Sequence, residues 1–341
     1  MNIKYLKSFS SLFCIAVIFL LSLHSCGFAN SQLKFADAGK VWWTAPTIIA
    51  RQDGWVDGSD SNLYTKNGLD LVAFDVNDGL TSKNAVLAGT ADVGLVAATP
   101  LARGAYQKEN EKLVVLASYV EATNLLAIIT EKETEATEPI IPKPSIAIVP
   151  GTISEFYLHR YGEETSTLDQ IKTLSKLRVK PPSVPDAING DKDVKSAVIW
   201  EPFVSKIKNS NSDLYEVIRD ENLYTLRLFL VTRPDVIKNK KDALVKFINS
   251  INEACEYIND NSEESRKKIA AYLNHDEQEL PASLWNDVNF KIDFDYEKMQ
   301  NLILEDVRLA SEVDKEVENN ISKSEIEKYF DPSFKENFNN Q

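Results

Sequence analysis

Histidine and cysteine are both scarce: His24, His159, His275, Cys14, Cys26 and Cys255 are the full complement in 341 residues. That leaves little for a histidine-built metal site or a Ser-His-Asp triad, and there is no HExxH, CxxC or GxxxxGK stretch. Neither a metal nor another cofactor is expected. Basic residues are also short, 38 Lys and Arg against 51 Asp and Glu, for a formal charge of −13. This balance speaks against nucleic acid and against an anionic membrane surface as partners, and otherwise serves solubility. What is present is ordinary for a globular protein, 43% hydrophobic and 26% charged, with length enough for about two domains.

The first residues do not belong to the fold. Lys4 and Lys7 precede an apolar run from Leu12 to Leu23, followed by LHSCG, which reads as a secretory signal too short for a membrane span. Leu23, Ser25 and Cys26 resemble the bacterial lipobox, so cleavage before Cys26 and a diacylglycerol on its thiol are expected. The alternative is a plain signal ending near Ala29. Loss of residues 1–25 removes two lysines and deepens the charge to about −15. Cys14 leaves with the signal and Cys255 remains alone, so no intramolecular disulfide is available. Cys255 falls on the helical series Leu244, Phe247, Ile248, Ile251 and Ile258, which makes it a core residue.

Beyond the leader, strands and helices alternate. Residues 33–37 read as a strand and Pro46–Gly54 as a helix stopped by Gly54. Strands follow at Leu69–Phe74, Asp92–Val96 and Leu113–Val120, separated by helices at Asp78–Ala88 and Pro100–Gln107. Leu125–Thr130 leaves this unit as a strand, and the charged, Pro-containing 131–144 suits a surface loop. A second run starts at Ser145. It has helices at Ile153–Tyr161, Leu168–Leu174, Ser183–Asn189 and Pro202–Lys208, with strands at Ile146–Val149, Arg178–Lys180, Ser196–Ile199 and Leu214–Ile218. Tyr224–Thr232 is strongly β and crosses back. From Pro234 the chain reads as helical, through Asn261 and again near Met299–Val313; its acidic end either docks a helix around Ile326–Phe330 or frays.

The expected class is therefore α/β in two lobes, each a mainly parallel sheet flanked by helices. A leader (1–25) and a tether (26–32) precede residues 33–122, which with 227–341 form the first lobe; residues 123–226 form the second. Two crossings, near 121–126 and 221–228, make a hinge. Ligand-facing loops should lie at the carboxyl ends of the parallel strands, in the cleft between lobes.

Four stretches carry a family resemblance. GLDLVAFDVNDGLTSKNAVLAGTADVGLVAATP (68–100) resembles the best-known stretch of the periplasmic solute-binding proteins that serve importers of nitrate, sulfonate, taurine and thiamine precursors. PTIIARQDGW (46–55) resembles the helix before it, AIVPGTISEFYLHRY (147–161) the opening of the second lobe, and AVIWEPFV (197–204) the family's Trp-Glu-Pro segment. In order, they cover most of residues 33–230. The resemblance implies a type II-like periplasmic-binding-protein fold. It implies a non-enzymatic, monomeric lipoprotein outside the cytoplasm that passes a small solute to an ABC permease and meets the membrane only through its anchor. Two rivals remain: an enzyme like the superfamily's pyrimidine-precursor branch, and a sensor lipoprotein without a transporter.

The expected cleft loops are 41–46, 75–81, 96–100, 119–125, 150–155 and 199–203. They hold no Lys or Arg but hold Asp75, Asp78, Glu121, Glu155 and Glu201. Candidate ligand contacts are Trp43, Thr44 and Ala45; Gly79 and Leu80; Thr99; Glu121 and Asn124; Gly151, Thr152, Ser154 and Glu155; and Trp200 and Glu201. Thr99 also suits a helix cap ahead of Pro100. Thr152-x-x-Glu155 fits a capping box; alternatively, Glu155 accepts a bond from a ligand amine or ring N–H. Trp42, Trp43, Phe156 and Trp200 could stack on a ring, with at most one of the adjacent Trp42 and Trp43 facing the cleft. The composition leans toward a neutral or cationic N-heterocycle or amine. Backbone amides keep sulfonate, taurine or nitrate open as the alternative.

Overall fold

The computed structural model describes residues 32–38, 41–106, 113–132, 145–190, 193–211, 213–276, 280–313 and 321–339. The leader, Cys26, most of the tether and most of the 131–144 loop lie outside these. Two sheets organise the chain. The first has six strands in the order β11-β4-β10-β3-β1-β2 and the second five in the order β7-β6-β8-β5-β9. The strands are β1 Gln32–Asp37, β2 Asp70–Asp75, β3 Val93–Ala97, β4 Val114–Ala122, β5 Leu126–Glu131, β6 Ser145–Ile148, β7 Ser175–Arg178, β8 Ser196–Trp200, β9 Tyr215–Ile218, β10 Leu226–Thr232 and β11 Val288–Asp293.

In each sheet three neighbouring strands run parallel, β2-β1-β3 and β7-β6-β8. The strands that follow the two crossings enter reversed: β5 is antiparallel to β8, and β10 is antiparallel to β3 and β4. Helices are linked to these strands by short loops. Helix Gly79–Leu87 can lie close on β3 because Gly94 has no side chain; a Cβ there would stand 2.7 Å from Ser82 Oγ and Val86 Cγ2. Ser82 uses that proximity, donating to Ala36 O at 2.8 Å and accepting from Leu95 N at 2.8 Å.

Two expectations are corrected. The region after Pro234 is not purely helical: Val288, Phe290 and Ile292 are buried while Asn289 and Lys291 are exposed, and this alternation forms β11 on the edge of β4. The strand expected at Arg178–Lys180 forms three residues earlier, as β7. At the C-terminus, helices Lys323–Glu327 and Pro332–Asn339 dock; Val115 N donates to Tyr329 O at 2.7 Å, and Phe334 is buried. Cys255 is in the core as expected, and burial pushes its thiol pKa well up. Among the described residues no helix is long and apolar enough to cross a membrane.

Helix Tyr296–Val313 packs Met299, Ile303 and Val307 on the face of the first sheet with Val96, Val115 and Phe229. Further along, Leu309 and Ala310 meet Phe156 on helix Ile153–Glu164, which follows β6 of the second sheet. Between these contacts Asp306 is fully buried, accepting from Thr99 Oγ1 at 2.7 Å and Tyr224 OH at 2.9 Å. Burial raises its pKa from 3.8 to about 7, outweighing the two hydrogen bonds, which favour the ionised form. The folded protein thus holds a proton that the unfolded chain releases between about pH 4 and 7, so this contribution to stability is complete below that window and lost as pH rises through it. Asp306→Asn should flatten the fall in stability between pH 5 and pH 8, measured by urea unfolding at both. An unchanged slope would assign the fall to other groups.

Candidate functional site

A cavity of about 410 Å³ opens between the two sheets. Its wall is built where the expectation put it, at the carboxyl ends of parallel strands from both. Ala38, Val41 and Trp43 follow β1, Asp75–Leu80 follow β2, and Ala97 and Pro100 lie at the end of β3. From the second sheet come Thr152 and Ile153 after β6, Pro181 and Pro182 after β7, and Trp200 and Phe203 at the end of β8. Leu95, Leu226 and Leu228 complete it. Among the described residues its ionisable side chains are Asp75 and Asp78.

Neither carboxylate stands alone. Asp75 Oδ1 is 3.1 Å from Arg51 Nη1, and Arg51 Nη2 lies 3.1 Å from the fully buried Asp37. Burial pushes the Asp37 pKa up to about 6, with Arg51 and a hydrogen bond from Thr47 opposing it. Asp78 Oδ1 accepts from Thr81 N at 2.7 Å and caps the helix that brings Gly79 and Leu80 to the wall. Trp43 ties the two walls together: its indole Nε1 donates to Glu201 O at 2.9 Å.

Of the residues expected to meet ligand, Trp43, Gly79, Leu80, Thr152 and Trp200 are together on the wall. The others lie elsewhere, for identifiable reasons. Thr44 and Ala45 turn inward at the start of helix Ala45–Arg51, with Thr44 Oγ1 donating to Val41 O at 2.8 Å. Thr99 is buried inside helix Ala98–Tyr106 on Asp306, not at a cap facing the cleft. Glu121 pairs with Arg227 and, at 3.1 Å, with Lys298. Asn124 donates to Asp287 at 3.0 Å. Ser154 Oγ donates to Val198 O at 2.8 Å. Glu201 is fully buried, paired with Arg219 and accepting from Ser205 N at 3.0 Å.

Glu155 is the main correction. The capping box does not form: Thr152 Oγ1 accepts from Ser154 N at 3.2 Å, one residue earlier than that box requires. Glu155 instead accepts from Gly151 N at 3.0 Å and pairs with Arg103 at 2.5 Å and Arg178 at 3.4 Å. Gly151 takes φ +74°, a left-handed conformation that favours glycine. The carboxylate is thus neutralised and turned away from the cavity. Phe156 likewise packs under Leu309 and Ala310, and Trp42 sits in the core 6.2 Å from Trp285. One of the adjacent tryptophans faces the cleft, as expected, and it is Trp43.

Pro181 and Pro182 were missed because no cleft loop was expected after β7, and Phe203, inside the expected loop 199–203, was not among the candidate contacts.

The NMT1/THI5-like family profile matches residues 45–265, and the chain belongs to that family. It is 23% identical over 261 residues to a Brucella abortus (strain 2308) protein provisionally named as a binding protein, covering 75% of this chain and 76% of that one. Its fold matches the alkanesulfonate-binding protein SsuA from Xanthomonas axonopodis pv. citri, with a TM-score of 0.70, 14% identity, and 88% and 98% of the two chains covered. The periplasmic nitrate-binding protein NrtA from Synechocystis PCC 6803 matches with a TM-score of 0.68, 14% identity, and 92% and 89% covered.

Proposed function

We propose that the protein is the extracytoplasmic, lipid-anchored solute-binding component of an ABC importer. It captures one small molecule between two lobes, residues 33–122 with 227–341 and residues 123–226, and presents it to the permease as a monomer. The observation that carries this reading is the cavity itself, walled from both sheets by strand-end loops and tied across by Trp43.

The ligand is a neutral, flat-faced molecule bearing a ring N–H or amine. Trp43, Trp200 and Phe203 offer ring faces, and Asp78 and Thr152 offer acceptors at the rim. Among the described residues no Lys or Arg lines the wall, so there a sulfonate or nitrate would depend on backbone amides, where a fixed cation normally assists. Glu155 and Glu201 are already paired with arginines, so neither calls for a positive charge on the ligand.

A thermal-shift screen of the protein tests this, with thiamine precursors, other N-heterocycles, amines, taurine, alkylsulfonates, nitrate and bicarbonate. A ligand at 100 times its Kd stabilises by roughly 2.7 kcal/mol. A shift with a neutral heterocycle supports the reading. A shift confined to sulfonate or nitrate overturns the ligand class while keeping the binding function, and a panel without any shift counts against both.

A further inference from the structure

One cluster of metal-ligating side chains lies away from the cavity. Helix Ile153–Glu164 presents His159 and Glu163, one turn apart on the same face. Glu312, near the end of helix Tyr296–Val313, comes to meet them. His159 Nε2 is 2.8 Å from Glu312 Oε2 and 3.8 Å from Glu163 Oε1, and the three donor atoms all lie within 4.8 Å of one another. The imidazole is nearly buried, its side chain 6% exposed, while the two carboxylates reach solvent and leave an entry path.

Arg308 orients the carboxylates from outside. It grips Glu305 at 2.9 and 3.2 Å, touches the Glu312 oxygen that faces away from His159, and stands 3.4 Å from Glu163. Glu305, which it holds through two bonds, lies outside the cluster and is also bound by Arg160 at 2.5 Å. Arg308 therefore leaves one Glu312 oxygen free to ligate, much as outer hydrogen bonds hold the ligands of a metal.

The geometry points to a divalent-cation site of zinc-like chemistry formed by His159, Glu163 and Glu312. One imidazole with two carboxylates suits a borderline-soft ion better than magnesium, which prefers oxygen and retains its water. Bonds of about 2.0–2.2 Å to one ion require the half-exposed Glu163 side chain to approach and the hydrogen-bonded pair of His159 and Glu312 to open slightly. Three protein ligands leave a fourth position for water. The ligands come from a helix of the second sheet and from a helix seated on the first, so the ion joins the two bodies. Binding favours the joined arrangement and stabilises it by mass action. Only this consequence rests on the two-lobe reading; the site does not.

The test is calorimetric titration of chelator-treated protein with zinc chloride and with magnesium chloride. We expect one equivalent of zinc, no saturable magnesium binding, and a higher melting temperature with zinc. His159→Gln and Glu312→Gln should each weaken zinc by more than about tenfold, since losing a ligand costs at least as much as losing its outer partner. Melting in chelator confirms that each variant folds, and Glu312, at the rim, covers the case in which the His159 variant does not. The inference is overturned if zinc does not bind at one equivalent, or binds both folded variants as tightly as the parent. Zinc binding without any solute response would leave this inference standing while the importer reading fails.

Discussion

Arg51→Met should destabilise the protein by about 3–5 kcal/mol, the cost of leaving a buried carboxylate without its partner. Arg51 stands between Asp37, which is fully buried, and Asp75, which faces the cavity. Without the guanidinium, Asp37 keeps, among the described residues, the hydroxyl of Thr47 against its desolvation. Its pKa, already raised to about 6 with Arg51 present, must rise further. A raised carboxyl pKa gives stability that is present at low pH and lost as pH rises. The deficit of the variant should therefore be smaller at pH 5 than at pH 8. Urea unfolding at both values measures it, and Asp37→Asn in the same chain should restore part of the loss. Equal deficits at the two pH values would show that Asp37 is not the group exposed by the change.

The second large effect concerns binding. Trp43→Ala should weaken the solute found in the screen by about 2–3 kcal/mol, roughly 30- to 150-fold, as expected for a buried aromatic anchor on the wall of a site. Two losses combine: the ring face on the cavity wall and the N–H bond to Glu201 O. Trp43→Phe separates them by retaining a face and removing the donor. An intermediate affinity means that both terms act, whereas parent-like affinity in Trp43→Ala would remove this residue from the site.

Much of this arrangement could be read before folding. Alternation of β-rich runs with helical stretches located nine of the eleven strands and set β7 three residues late, because most of the short apolar runs were bounded by a turn signal or a helix start. Strand β11 escaped since six residues of alternation are lost between two long helical stretches. The strand-end rule found Trp43, Gly79, Leu80, Thr152 and Trp200. It could not find Leu226 or Leu228, because every residue of β10 is buried and no pattern says which face meets the cavity. The charge state was the least legible feature. Glu155 is neutralised by Arg103 from 52 residues away and Glu201 by Arg219, and nothing in the local sequence marks either pairing.

The tie between the two walls has a consequence for how the protein can vary. Trp43 donates to the main-chain oxygen of residue 201, not to its carboxylate. Any amino acid at 201 supplies that same acceptor, so replacing Glu201 cannot delete it outright. Only position 43 carries an irreplaceable atom. Across descendants of this chain this contact would be inherited through a single codon, leaving position 201 free to drift as far as its burial and its bonds to Arg219 and Ser205 allow.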